Sequence, residues 1–206
     1  MYIPPHFRNE NEKELTAFIT HHPMAMIASN GETVPDVTHL PFHLVQSGGK
    51  QFLESHFSAA NPHAGTLSEN AEVIVIFSGP NAYISPVHYE KPQNVPTWNF
   101  IAVHVHGKIH FHTEEDRSLE ILRNTIGAHD PAWLENFNAL DTSYLSAMIK
   151  GIRAFSVEIT AFEGKYKLSQ NRTGSERKNI TDHLSLFPEG APQQEISGYM
   201  SRNKKP

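Results

Sequence analysis

The 206-residue chain predicts a mainly β, α+β fold: an antiparallel barrel with peripheral helices. Three observations carry that expectation. The stretch Glu72 to His112 holds the strongest β signal and the densest set of ring side chains, broken by a Pro-rich loop. Six or seven β-rich runs follow one another without the long strand-helix alternation that a parallel sheet requires. Closing such a sheet removes edges that would otherwise offer unpaired backbone groups to other chains.

Composition narrows the function classes. The chain has no cysteine, which excludes a disulfide framework, a cysteine zinc finger and a thiol nucleophile. The start, Met1-Tyr2-Ile3-Pro4-Pro5, lacks the basic and apolar regions of a signal peptide. No stretch approaches the ~20 apolar residues of a membrane span, so a cytoplasmic location without membrane contact is expected. Formal charge is −5 with histidine neutral, which opposes duplex binding through concentrated Lys and Arg. Fourteen histidines can shift that sum as the pH falls towards 6.

Taken in order, Glu10 to His21 places Leu15, Phe18 and Ile19 at i, i+3, i+4 behind an acidic first turn, which predicts an amphipathic helix stopped by Pro23. Met24 to Ser29 reads as a strand, Asn30-Gly31 as a turn, and Val34 to Val45 as a second strand with Pro35 and Pro41 on an edge or bulged path. Ser47-Gly48-Gly49-Lys50 turns into a strand over Gln51 to Phe57 and lacks the spacing of a phosphate loop. Within Ser58 to Asn70, Asn61 is a suitable N-cap for a short helix with Pro62 in its first position.

Val73 to Phe77 is almost wholly apolar, as a strand buried on both faces would be. Ser78-Gly79-Pro80-Asn81 reads as a turn, after which Ala82 to Ser85 pairs back. Pro86, Pro92 and Pro96 make residues 86 to 96 a loop. From Ile101 to His112, Val103, Val105, Ile109 and Phe111 share one strand face, while His104, His106, His110 and His112 share the other. Gly107 is expected to mark a bulge.

Helices are expected over Glu114 to Ala128, with Thr113 as N-cap and Asp116 in the acidic third position, over Trp133 to Phe137, and over Thr142 to Lys150 with closure at Gly151. Ile152 to Phe162 reads as the last strand, followed by Lys165 to Arg172 and by helices over Ser175 to Phe187 and Gln193 to Asn203. The tail from Arg202 to Pro206 is expected to fray. Two domains are expected, a barrel over 1–170 and a C-terminal helical extension over 171–206.

No dinucleotide fingerprint, nucleophile elbow or H-E-x-x-H occurs, so no catalytic residue can be named. His104 with His106, and His110 with His112, have the i, i+2 spacing that lets two imidazoles face one ion, yet polar residues on a half-exposed strand face have the same pattern. A haem needs only one axial imidazole and is the alternative cofactor. Lys165, Lys167, Arg172, Arg177 and Lys178 gather five cations against Glu176, with Ser169, Gln170 and Asn171 as extra donors, and form the best candidate for holding an anion. Trp98 is placed to cover a planar ligand or to plug the barrel end.

Seven motifs then appear in order: MYIPPHF, HLPF at His39 to Phe42, ANP at Ala60 to Pro62, FSGPNAYISP at Phe77 to Pro86, VPTWNF at Val95 to Phe100, VHVHG at Val103 to Gly107 and KLSQNR at Lys167 to Arg172. Together they resemble the PaiB family, whose members are usually labelled FMN-binding negative transcriptional regulators. The resemblance implies an FMN-binding split β-barrel, similar to pyridoxamine phosphate oxidases, forming a homodimer with flavin between subunits. It implies that Lys167 to Arg172 approach the cofactor and that the His56 to Asn61 segment lies where related barrels hold the phosphate. Family members commonly carry Arg in an A-R-A-N-P run, where this chain has Ser58-Ala59-Ala60-Asn61-Pro62. The expected cofactor residues are Thr38, His39, Leu40, His56, Ser58, Asn61, Trp98, His104, Lys167, Gln170 and Arg172. A haem-binding or haem-degrading barrel and a direct DNA-binding repressor are the competing readings.

Overall fold

The computed structural model describes residues 1–91 and 93–203; Pro92 of the expected loop and the last three residues of the expected frayed tail lie outside the described residues. The strands are β1 (Arg8–Asn9), β2 (Met24–Ser29), β3 (Asp36–Pro41), β4 (His43–Ser47), β5 (Lys50–Ser58), β6 (Glu72–Ile84), β7 (Thr97–Phe111) and β8 (Ile152–Lys167). The helices are α1 (Glu12–His21), α2 (Pro62–Thr66), α3 (Glu115–His129), α4 (Leu134–Asn138), α5 (Thr142–Ile149), α6 (Gly174–Ser185) and α7 (Pro192–Arg202). The sheet order is β3-β2-β6-β7-β8-β5-β4, with β1 paired antiparallel to β8.

The chain divides into two compact units, one of Met1–Leu15, Ser78–Val103 and Glu163–Pro206, the other of Thr16–Phe77 and His104–Phe162. In the second unit the order itself demands curvature. Strands β3 and β4 lie at opposite ends of the sheet path yet are joined by one residue, Phe42. A flat sheet cannot satisfy that link, so its edges curl towards each other, and the Ser55 hydroxyl on β5 donates to the Pro41 carbonyl at 2.7 Å. The expected single strand over Val34 to Val45 is thereby corrected to two. The break falls at Pro41-Phe42, where Pro ends the ladder and Phe42, 2% exposed, turns into the core.

That core is aromatic. Phe155 stacks on Phe57 with ring centroids 4.7 Å apart, and Phe42 meets both Phe77 and Phe155 edge-on. A satellite cluster of Leu119, Phe137 and Leu145 joins α3, α4 and α5. In the first unit, α6 and α7 bury Ile180, Leu184, Ile196 and Met200, and Arg177 donates to the Leu168, Met200 and Asn203 carbonyls. A capping box of Thr173 and Glu176 starts α6.

Four further expectations are corrected. Ser78 to Asn81 does not turn: β6 runs unbroken for 13 residues, with Pro80 beyond its last β2 pair, Phe77 with Ala25, where a missing N–H costs no bond on that side. Val73 to Phe77 is fully buried on one face and half-buried on the other. Gly107 makes no register shift. It lies on the core face in strict alternation, where a Cβ would stand 2.4 Å from the Glu158 carbonyl oxygen and 2.5 Å from a Val157 methyl. The N-cap of α3 is Glu114 in place of Thr113, whose hydroxyl donates to the Glu114 carboxylate.

Candidate functional site

In the second unit, two segments that the sequence separates meet around one imidazole. Asn61 caps α2, its side-chain oxygen accepting from the His63 N–H at 3.0 Å, and its amide nitrogen donates to the Thr38 hydroxyl of β3 at 3.3 Å. His63, 4% exposed, is hydrogen-bonded through Nδ1 to the Thr38 hydroxyl at 2.9 Å and through Nε2 to the Ser29 hydroxyl at 3.0 Å. Burial lowers the His63 pKa, with Asp36 opposing, so the ring is neutral near pH 7 and links one donor to one acceptor. The four side chains form a continuous polar chain.

Around that chain, His39 is exposed and Leu40 half-buried on β3. His56 is half-buried on β5, and burial lowers its pKa. Ser58 and Ala59 are exposed; the Ser58 hydroxyl accepts from the Ala60 N–H at 3.3 Å, and the Ala59 N–H donates to the Gly151 carbonyl at 2.9 Å. Thus the structure brings Thr38 to Asn61 directly, with His39 and Leu40 following Thr38 on β3 and Ser58 at the end of β5, three residues before Asn61. His63 and Ser29 were missed by sequence reasoning. An Asn-Pro-His run names His63 as helical, but nothing in the sequence pairs it with residues 25 and 34 positions away.

In the first unit, the Lys167 ammonium donates to the Trp98 carbonyl at 2.6 Å and to the Thr97 hydroxyl. The Trp98 ring is 53% exposed and meets Tyr83 edge-on, so it is not packed into the core. The Arg172 guanidinium lies over the Tyr89 ring at 3.7 Å and donates to the Asn94 side chain at 2.8 Å. Gln170 braces the turn that joins them, accepting from the Leu168 N–H and donating to the Tyr166 carbonyl, beside Ser169 at φ +60°. Burial first, then the charges of Lys165 and Arg172, lower the Lys167 pKa, so these three cations feel one another.

The five-cation cluster is therefore reduced to three. Arg177 is committed to the carbonyls of the helical end and Lys178 pairs with Asp182 one turn on. On β7, His104, His106 and His110 do share the face away from the core. His110 Nδ1 is hydrogen-bonded to Glu69 at 2.9 Å, and His112 Nε2 to the Ser156 hydroxyl at 3.0 Å. Among the described residues, no group of three metal-type ligands includes any of these four histidines.

The antiparallel order, the curled second unit and the peripheral helices define a split β-barrel of the α+β class. The fold is shared with the flavocytochrome Anf3 from Azotobacter vinelandii, at 20% identity and TM-score 0.62 over 82% of this chain and 70% of that one. It is shared equally with the FAD and heme binding protein from Mycobacterium smegmatis, at 15% identity and TM-score 0.62 over 78% and 73%. Residues 1–161 match the family model described as "Putative FMN-binding domain". The chain is also 32% identical over 187 residues to protease synthase and sporulation protein PAI 2 of Bacillus subtilis, covering 89% of each. It belongs to this FMN-binding-domain family, of PaiB type. No helix among the described residues is long and apolar enough to cross a membrane.

Proposed function

We propose that the protein is a homodimeric FMN-binding regulator that responds to flavin state or to a metabolite rather than by reading DNA directly. The observation that carries the flavin reading is the family match over residues 1–161. The residues present support that reading in each unit taken by itself. In the second unit, Thr38, Ser58 and Asn61 supply neutral donors suited to a phosphate, with His39, Leu40 and His56 near them in the chain and His104 on β7. In the first unit, Lys167 and Arg172 supply charge and Trp98 a flat apolar face, while Gln170 fixes the turn that carries them. Bound FMN would supply one- and two-electron redox chemistry; the chain supplies binding and exclusion of water.

Dimerisation is supported by exposed apolar side chains in the first unit, Tyr83, Val87, Val95 and Trp98. The C-terminal helices from residue 171 onward are assigned to steadying that unit. The charge of −5 favours indirect regulation over DNA contact. Titrating purified protein with FMN, followed by visible absorption and a sizing run, tests the reading: shifted flavin bands on a dimer support it, and a monomer that leaves free FMN unperturbed overturns it. Haem is the second reading, favoured by the imidazole row of β7 and by two fold neighbours named for haem or cytochrome. A Soret band lost on replacing His104 and His106 would establish it in place of flavin.

A further inference from the structure

The second unit holds a cavity of about 630 Å³ lined by β4, β5, β8, the end of β7 and one side of α3. None of the residues assigned to flavin lines it. Its floor comes from strand register: Val45 pairs with Phe52 across the β4–β5 hairpin, and Glu54 stands opposite Ser156 on β8. Its roof comes from Arg117, Glu120 and Asn124, spaced i, i+3, i+7 along α3 and hence on one face. Glu54 is 1% exposed and accepts from the Arg117 guanidinium and from the Asn124 amide at 3.0 Å.

Charge decides what such a space can hold. Arg117 is shared between two carboxylates, Glu54 and Glu120, the second at 2.7 Å. His110 and His112 also line the wall, the first bonded to Glu69 and the second to Ser156. In the lining two carboxylates, Glu54 and Glu120, face one guanidinium, so carboxylates outnumber the fixed cation. Glu54 is already fixed by two donors. Glu120 is more than half exposed, gives only one oxygen to Arg117 and keeps acceptor capacity towards the opening. Val45 and Phe52 add an apolar wall.

We propose that this cavity is a second binding site, for a small organic cation: an amine or amidine on an apolar or aromatic body, the cation against Glu120 and the body against Val45 and Phe52. The volume suits a ligand of that class, since small-molecule pockets span roughly 300–1,000 Å³. The Glu54–Arg117–Asn124 set, with Glu54 buried, would act as a rigid wall rather than as the cation's direct partner, because the hydrogen bonds of Glu54 are already made.

Calorimetric titration of the full-length protein with 2-phenylethylamine, and with phenylacetate as its anionic counterpart, tests this. The amine is expected to bind saturably and about tenfold tighter than phenylacetate, the difference one partly screened carboxylate supplies. Glu120→Gln, at an exposed position, should weaken the amine about tenfold while circular dichroism and melting temperature stay unchanged. Absence of saturable amine binding, phenylacetate binding as tightly as the amine, or an E120Q variant that binds the amine unchanged would each overturn the proposal.

Discussion

The resemblance to PaiB-type proteins implies an Arg where this chain has Ala59, and Ala59 is exposed with its N–H held by the Gly151 carbonyl. A side chain added there meets solvent rather than core. Ala59→Arg is therefore expected to tighten FMN about tenfold without changing riboflavin affinity, since a charged hydrogen bond to phosphate contributes about 1.5–3 kcal/mol. Flavin fluorescence titration of both ligands measures it, and equal gains for both would move the phosphate elsewhere. His63 matters by a different route. The Thr38 hydroxyl accepts from Asn61, so its own proton is free for a ligand only when His63 donates through Nδ1 rather than accepting there. Replacing His63 with Leu takes one hydrogen-bond partner from each of the Ser29 and Thr38 hydroxyls and leaves Thr38 oriented by Asn61 alone. FMN binding should weaken several-fold, and stability should fall by about 1–3 kcal/mol in urea melts.

Elements were legible where period and punctuation agreed. The i, i+3, i+4 pattern of Leu15, Phe18 and Ile19 became the buried face of α1, and the alternation from Val103 to Phe111 became β7. Asn61-Pro62 set the start of α2, and Gly48 and Gly49, both at positive φ, set the β4–β5 turn. Misreadings arose where local residues and long-range pairing disagreed. Gly79, Pro80 and Asn81 have turn chemistry, yet flanking apolar alternation kept them in β6. Gly107 has bulge chemistry, yet the crowding that requires glycine comes from β8, fifty residues away. Gly107→Ala forces a methyl into the Glu158 carbonyl and the Val157 side chain. The expected loss is about 1–3 kcal/mol, read as a lower urea midpoint at unchanged slope. A neutral G107A would show that β7 and β8 can part at little cost.

For the molecule as a whole, the candidate site was legible as separate segments but not as contacts. Motif order pointed to Thr38, Asn61, Trp98, Lys167 and Arg172, whereas His63 between Ser29 and Thr38, or Glu54 beneath Arg117, exists only through tertiary pairing. The same pairing gives the protein a collective response to acid. Burial lowers the pKa of His43, His56, His63, His88 and His112, in each case as the largest cause. Unfolded, these rings take up protons near the ordinary value of about 6.5, while folded they resist until lower pH. The unfolded state therefore binds more protons, and stability present above about pH 6.5 is lost as the pH falls through the lowered folded values. Glu69 and Glu158, whose pKa values are held down by hydrogen bonds from the Phe111 N–H and Lys50, are lost only below the ordinary carboxylate range of about 4.3. The window from pH 6.5 to 5 thus isolates the histidines. Urea midpoints should fall steadily across it, and His63→Leu should flatten part of the slope because one resisting ring is gone. A midpoint constant from pH 7.5 to 5 would mean that these imidazoles titrate in the folded chain as they do in water, and that the polar chain through Ser29, His63, Thr38 and Asn61 is open to solvent.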